Sequence, residues 1–191
     1  HLVGQVCPFT CNLYFFHRKS TKKYRIPHFI ITFVAQKMFM SRLEQIKEPI
    51  STEFEVFKQK FDMSLQSSNP LLSEVISFIK QRRGKMMRPM LTLLMAKMCG
   101  EINDSTYNVA ISLELLHTAS LVHDDVVDES DKRRGQSSVN AIYDNKVSVL
   151  VGDYLLATCL ANAAMTSNVQ LVELVGKLGQ ELSEGEIIQL S

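Results

Sequence analysis

The sequence predicts an all-α fold, a bundle of long helices around one core, and three observations predict it. Residues 42–65 place Leu43, Ile46, Ile50, Phe54, Phe57, Phe61 and Leu65 at three- and four-residue spacing, which lines up one face of a helix. Residues 106–129 and 146–165 are apolar stretches of helical length. No stretch alternates apolar and polar residues as a half-buried strand does. Long apolar helices joined by short connections bury their faces against one another as a bundle.

The elements follow in order. The spacing predicts one helix over 42–65. Asn69-Pro70 breaks it, and Pro70 suits the first turn of the next helix, where a missing N–H is harmless. That helix runs over 71–82 with Val75, Ile76 and Ile79 on one face, until Gly84 interrupts. Pro89 opens another apolar helix to about Cys99, with Gly100 as its C-terminal stop. Asp104 or Ser105 is the expected cap of a long helix from Thr106 to about Glu129. Residues 130–145 are polar, contain Gly135, and read as a loop with one short helix. Residues 146–165 are rich in small residues, and 169–190 form the last helix. The chain ends at or just after a helix, so the bundle is expected to be incomplete, with C-terminal helices missing.

The chain has 191 residues, 46% hydrophobic and 21% charged, enough for one domain with a real core. A net charge of +1 gives no global field for nucleic acid. The charge is unevenly placed, however. Residues 1–40 hold six basic side chains and no acid, while 41–191 hold the other 15 basic residues and all 20 acidic ones, a net of −5. Residues 1–39 therefore read as a leader outside the fold, with the real start expected at Met40 or Met38 and the folded part at 40–191. Basic residues followed by Phe29–Ala35 loosely resemble a signal peptide, but the basic part does not begin the chain and no small-x-small cleavage site follows. Cys7 and Cys11 have no second pair at zinc-site spacing, and Cys99 and Cys159 read as core residues. A cytoplasmic setting is expected, and no run is expected to reach bilayer-spanning length.

The most informative stretch is His123-Asp124-Asp125-Val126-Val127-Asp128, followed by Arg133-Arg134-Gly135-Gln136. Asp124 and Asp128 lie one helical turn apart and face the same way. Acids near a helix C-terminus oppose the helix dipole, so an ordinary acidic surface explains them poorly. A hard divalent cation removes the conflict: Mg²⁺ takes oxygen ligands, usually one or two carboxylates plus phosphate oxygens of a substrate. Arg133 and Arg134 downstream are bidentate phosphate donors. His117 lies within about 20° of Asp124 around the helix, extending one polar stripe. Lys85 and Arg88, three apart at a loop-to-helix junction, form a second phosphate-binding pattern, which alone would read as a solvated basic turn. Glu186 and Gln189 on the last helix are a plausible polar lining, uninformative by themselves.

Together these residues resemble the trans-type polyprenyl diphosphate synthases, which elongate isoprenoid chains. The resemblance runs from about Arg42 to Ser191. It rests on Gly84-Lys85-x-x-Arg88-Pro89, Glu114-Leu115-x-His117, Asp124-Asp125-x-x-Asp128, Arg133-Arg134-Gly135, Gly152-Asp153-Tyr154-Leu155 and Gly185-Glu186-x-x-Gln189, in that order. It implies an isoprenoid-synthase-type helical bundle of which this chain is the N-terminal portion, since the family's second aspartate-rich motif does not occur after Asp128. It implies an enzyme that adds isopentenyl diphosphate to an allylic prenyl diphosphate, with Asp124 and Asp128 as Mg²⁺ ligands and Asp125 in support. Lys85, Arg88, His117 and Arg134 match the isopentenyl diphosphate pocket, and Arg133 matches the grip on the allylic diphosphate. Bulk at the positions of Ala119 and Ser120 limits chain length in this family. Both are small here, so a medium- to long-chain product is expected. Ser120 also lies on the Asp124 side of an ideal helix, whereas Ala119 does not. A homodimer and a lipophilic product are further implications, and the chain alone is expected to be inactive. The rivals are a non-catalytic subunit of a heteromeric synthase, which would be expected to lack the acidic motif, and a terpene cyclase, which needs no Lys85–Arg88–His117 pocket.

Overall fold

The computed structural model describes residues 42–190, and the leader expected over 1–39 lies outside them. Every element described from Glu48 onward belongs to one compact unit, residues 43–191.

Residues 42–47 are helical (α1), but the helix expected over 42–65 is not continuous. A 3-10 turn at Glu48–Ile50 separates α1 from α2 (Ser51–Ser64). Pro49 is the reason: it has no N–H for the i→i−4 ladder and its ring clashes with the preceding turn. Asn69 caps α3 (Pro70–Gln81) by accepting the Leu72 N–H at 3.1 Å, with Pro70 in the first turn. Helix α4 (Met87–Cys99) begins two residues before Pro89, from Met86 in the left-handed region at φ 49°. Helix α5 (Asp104–Val127) is capped by Asn103, one residue before the expected caps: Asn103 and Thr106 exchange backbone and side-chain hydrogen bonds as a capping box.

The end of α5 shapes the rest. Ser130 N–H donates to Asp125 O at 2.9 Å and Glu129 N–H to Val126 O at 3.3 Å, with Glu129 at φ 50°. That is a Schellman stop with glutamate where glycine is usual. The chain then folds back as a hairpin, β1 (Lys132–Arg133) against β2 (Gln136–Ser137). The sequence predicts only a loop here, because two-residue strands are too short to show alternation. The two turn residues, Arg134 (φ 53°) and Gly135 (φ 78°), both take the positive φ that a type I′ hairpin turn requires. Helices α6 (Val139–Tyr143), α7 (Asn145–Met165) and α8 (Val169–Leu190) complete the unit, with Asp144 capping α7 through the Lys146 and Val147 N–H groups.

Helix α5 is the axis. It packs most extensively against α7, then against α4, and also meets α2 and α8. Phe57, Leu93, Ile111, Leu115 and Leu155 are fully buried in the core between them. Fully burying one such side chain contributes roughly 1.5–3 kcal/mol. By length and composition α7 is apolar enough to cross a membrane, which corrects the expectation that no run was. Its small residues serve a close helix contact, with Ser148, Gly152 and Cys159 buried. Across it, Ser112 Oγ donates to Cys159 O at 3.1 Å, and His123 Nε2 lies 3.2 Å from Val149 O.

Gly152 makes that contact possible, because a Cβ there would run into the His123 imidazole. Gly152→Ala in the full-length protein is expected to lower stability by about 1–3 kcal/mol through overpacking. In a His123→Ala background the same change should cost less than about 0.5 kcal/mol, and urea unfolding of the four proteins of that cycle measures the difference.

Candidate active site

Helix α5 presents different groups on different faces. On the face toward α7 lie Ser112, Ala119 and His123, and Ala119 is fully buried there. On the face toward α8, Leu116 lies 4.0 Å from where a Cβ on Gly179 would stand, and Asp124 lies close enough to Glu186 to feel its charge. Ser120 falls between Leu116 and Asp124 on this stripe and donates its hydroxyl to His117 O at 2.9 Å. The third face lines a cavity of about 780 Å³.

The cavity brings together most of the basic residues singled out from the sequence. Lys85, Arg88, His117, Arg133 and Arg134 all line it, with Asp125 and Glu114 as the carboxylates among them. The hairpin delivers the two arginines. Arg133 Nε donates to Asp125 Oδ1 at 2.8 Å, and Asp125 is almost fully buried beneath it. Arg134 points at Gly84, where any Cβ would stand 3.0 Å from its guanidinium. The left-handed arginine costs about 1–2 kcal/mol of backbone strain, and its side chain stands exposed at the cavity wall. The neighbouring basic residues split in role. Arg83 pairs with Asp62 at 2.7 Å and stacks on Phe61, while Arg82 stacks on Phe78, although both reach the cavity wall.

His117 is surrounded by cations. Burial first, then Arg88, Arg133 and Arg134, lowers its pKa to about 4, so it is neutral at pH 7 and offers a single ring N–H. Its folded pKa lies below the free histidine value, so its contribution to stability is intact above about pH 6.5 and is lost as pH falls toward about 4. His117→Gln removes that loss: the stability advantage of wild type over the variant should shrink between pH 7 and pH 4.5, as unfolding midpoints at the two pH values would show.

The three aspartates are not equivalent. Asp125 is committed to Arg133, whereas Asp124 is half-buried and Asp128, the C-cap of α5, is exposed. Burial, then Glu186, Asp128 and Asp125, raises the Asp124 carboxyl above its usual range, against the pull of Arg133. Such crowding of negative charge is relieved by a cation. Among the described residues no three acidic, histidine or cysteine side chains converge as a closed metal cage. Asp124 and Asp128 instead offer an open pair of oxygen donors, which fits a hard cation that completes its shell with phosphate and water. Glu186 was uninformative in the sequence, because only the packing of α8 on α5 brings it to Asp124.

A helical bundle whose axial helix has paired carboxylates on one face and a cationic cavity on another is the architecture of the isoprenoid synthases. The structure superposes on a geranylgeranyl pyrophosphate synthase from Bacteroides thetaiotaomicron with TM-score 0.62 at 53% identity, covering 76% of this chain and 43% of that one. It superposes on a polyprenyl synthase from Caulobacter crescentus, crystallised with calcium and isoprenyl diphosphate, with TM-score 0.73 at 29% identity, covering 78% and 45%. In sequence it is 38% identical over 148 residues to an all-trans-nonaprenyl-diphosphate synthase (geranyl-diphosphate specific) of Rhodobacter capsulatus, 77% of this chain and 46% of that protein. The polyprenyl synthetase family profile matches residues 69–191, and the chain belongs to that family. It spans just under half the length of these relatives.

Proposed function

We propose that the full-length protein, of the relatives' size, condenses isopentenyl diphosphate with an allylic prenyl diphosphate to give a longer prenyl diphosphate. One observation supports this most strongly: two adjacent faces of α5 offer two different anion sites. The α8 face has Asp124, with Asp128 one turn further on at the exposed end of the helix, and the cavity has Lys85, Arg88, His117 and Arg134. Arg133, anchored on Asp125, stands between the motifs.

In this reading Asp124 and Asp128 hold Mg²⁺, which supplies charge neutralisation for the departing diphosphate. Arg133 steadies that diphosphate through the guanidinium nitrogens that Asp125 leaves free. Lys85, Arg88 and Arg134 hold isopentenyl diphosphate by its anionic end, and neutral His117 donates one N–H. The double bond is thereby placed against the allylic carbon, and fixing two reactants in this way removes much of the barrier. The core helices exclude water from the cation. Loss of a proton then completes a product five carbons longer. Incubating the full-length protein with labelled isopentenyl diphosphate, an allylic diphosphate and Mg²⁺ tests it: chain-extended, Mg²⁺-dependent product is expected, and none under any allylic primer would refute it.

We also place the protein in the cytosol as a homodimer, in which a partner would cover exposed apolar residues such as Leu150 and Leu160 on α7. For product length, Gly176, Gly179 and Ser183 recur at helical spacing along α8, in register with Glu186, and Gly179 stands opposite Leu116. That favours room for a chain longer than geranylgeranyl, in keeping with the nonaprenyl relative rather than the geranylgeranyl one. Ser120→Phe is the sharper probe, since a phenylalanine at fully buried Ala119 would overpack the α5–α7 contact. Chromatography of dephosphorylated products should show marked shortening for Ser120→Phe, and an unchanged distribution would remove Ser120 from the tunnel wall.

A further inference from the structure

Glu114 is a carboxylate in the wrong electrostatic company. It lines the cationic cavity on the same face of α5 as Thr118, Leu121 and Asp125, where an anionic ligand should be repelled by it. Asp125 has a partner in Arg133, but the Oε2 atom of Glu114 is covered from water and has no hydrogen-bond partner. A buried acceptor left in that state costs roughly 1–3 kcal/mol, more when charged. Burial raises the carboxyl, and the guanidinium groups of Arg88 and Arg83 pull it back toward ionisation, Arg88 more strongly. Arg83 is already held by Asp62 at 2.7 Å. Arg88 is exposed at the first turn of α4, where a long side chain with several N–H donors has many rotamers.

We infer that Glu114 is a positioning residue for isopentenyl diphosphate, acting through Arg88: its unpartnered oxygen accepts a guanidinium N–H of Arg88 when the cavity is occupied. The remaining edge of the fork is then fixed toward the diphosphate. Orienting a phosphate-binding arginine with a carboxylate behind it is the logic by which outer groups set the direction of inner ones. The inference rests on the reading of this cavity as the isopentenyl diphosphate site.

The test is steady-state kinetics of the full-length enzyme in a double-mutant cycle of Glu114→Gln and Arg88→Ala. Glutamine keeps the shape and removes a buried charge, so it spares the fold. Glu114→Gln is expected to raise KM for isopentenyl diphosphate about tenfold, while KM for the allylic diphosphate and kcat stay within about twofold. In the Arg88→Ala background the same change should have no further effect. Glu114→Asp, which keeps the charge but withdraws the oxygen, should fall between wild type and glutamine. If Glu114→Gln leaves KM for isopentenyl diphosphate unchanged, raises both KM values alike, or acts equally without Arg88, the positioning role is overturned. If Arg88→Ala itself leaves that KM unchanged, the cavity reading fails and the inference falls with it.

Discussion

Asp124→Ala or Asp128→Ala in the full-length enzyme should lower kcat by at least about a thousandfold, close to 4 kcal/mol of barrier. Asp124 is crowded by Glu186, Asp128 and Asp125 in a half-buried setting, and Asp128 lies one turn further on. Electrostatic stabilisation of a leaving diphosphate acts only in the transition state, so its loss appears in kcat. Asp125→Asn makes the contrast. Its carboxylate faces the cavity and holds Arg133 at 2.8 Å, so its removal acts by loosening one arginine. That should cost turnover about tenfold to a hundredfold, in line with loss of one charged hydrogen bond worth about 1.5–3 kcal/mol. Kinetics at saturating Mg²⁺ separate the two classes. Equal losses at all three positions would mean that the aspartates form one metal cluster, contrary to the engagement of Asp125 by Arg133.

The second large effect concerns the cavity. Arg88→Ala or Arg134→Ala should raise KM for isopentenyl diphosphate by about a hundredfold, near 2.7 kcal/mol, with KM for the allylic substrate within about twofold. Arg134→Lys should recover only part of this, because a lysine lacks the fork that binds two oxygens at once. Comparable losses for both substrates would show that the cavity serves the allylic diphosphate as well.

Much of the fold and site is legible in the sequence because it depends on local chemistry. Helix faces follow from spacing, as the phenylalanines of α2 and the buried Val75 and Ile76 of α3 illustrate. The ordered motifs single out Lys85, Arg88, His117, Arg133 and Arg134, and the structure gathers all five around one cavity. Features that depend on direction and on tertiary partners are not legible. Asp124 and Asp125 are adjacent in sequence but about 100° apart on the helix, and only the returning hairpin shows which one Arg133 takes. The hairpin is hidden because its turn uses arginine rather than asparagine before glycine. The break at Pro49 is masked by a strong apolar spacing on both sides of it. Glu114 belongs to one of the motifs but carries no role there, since an orphan oxygen is a property of the packed cavity alone.

In the proposed function, α5 separates a site that would hold Mg²⁺, at Asp124 and Asp128, from a cationic cavity that would bind its ligand without metal. Isothermal titration of the full-length protein with isopentenyl diphosphate, and with a non-ionisable allylic diphosphate analogue, tests it when each is run with Mg²⁺ and with EDTA. Removing Mg²⁺ should weaken the allylic analogue at least a hundredfold and change isopentenyl diphosphate affinity by less than about threefold, since the two carboxylates that line the cavity, Asp125 and Glu114, stand about three helical turns apart and Asp125 is engaged by Arg133. Equal dependence of both ligands on Mg²⁺, or of neither, would contradict the separation.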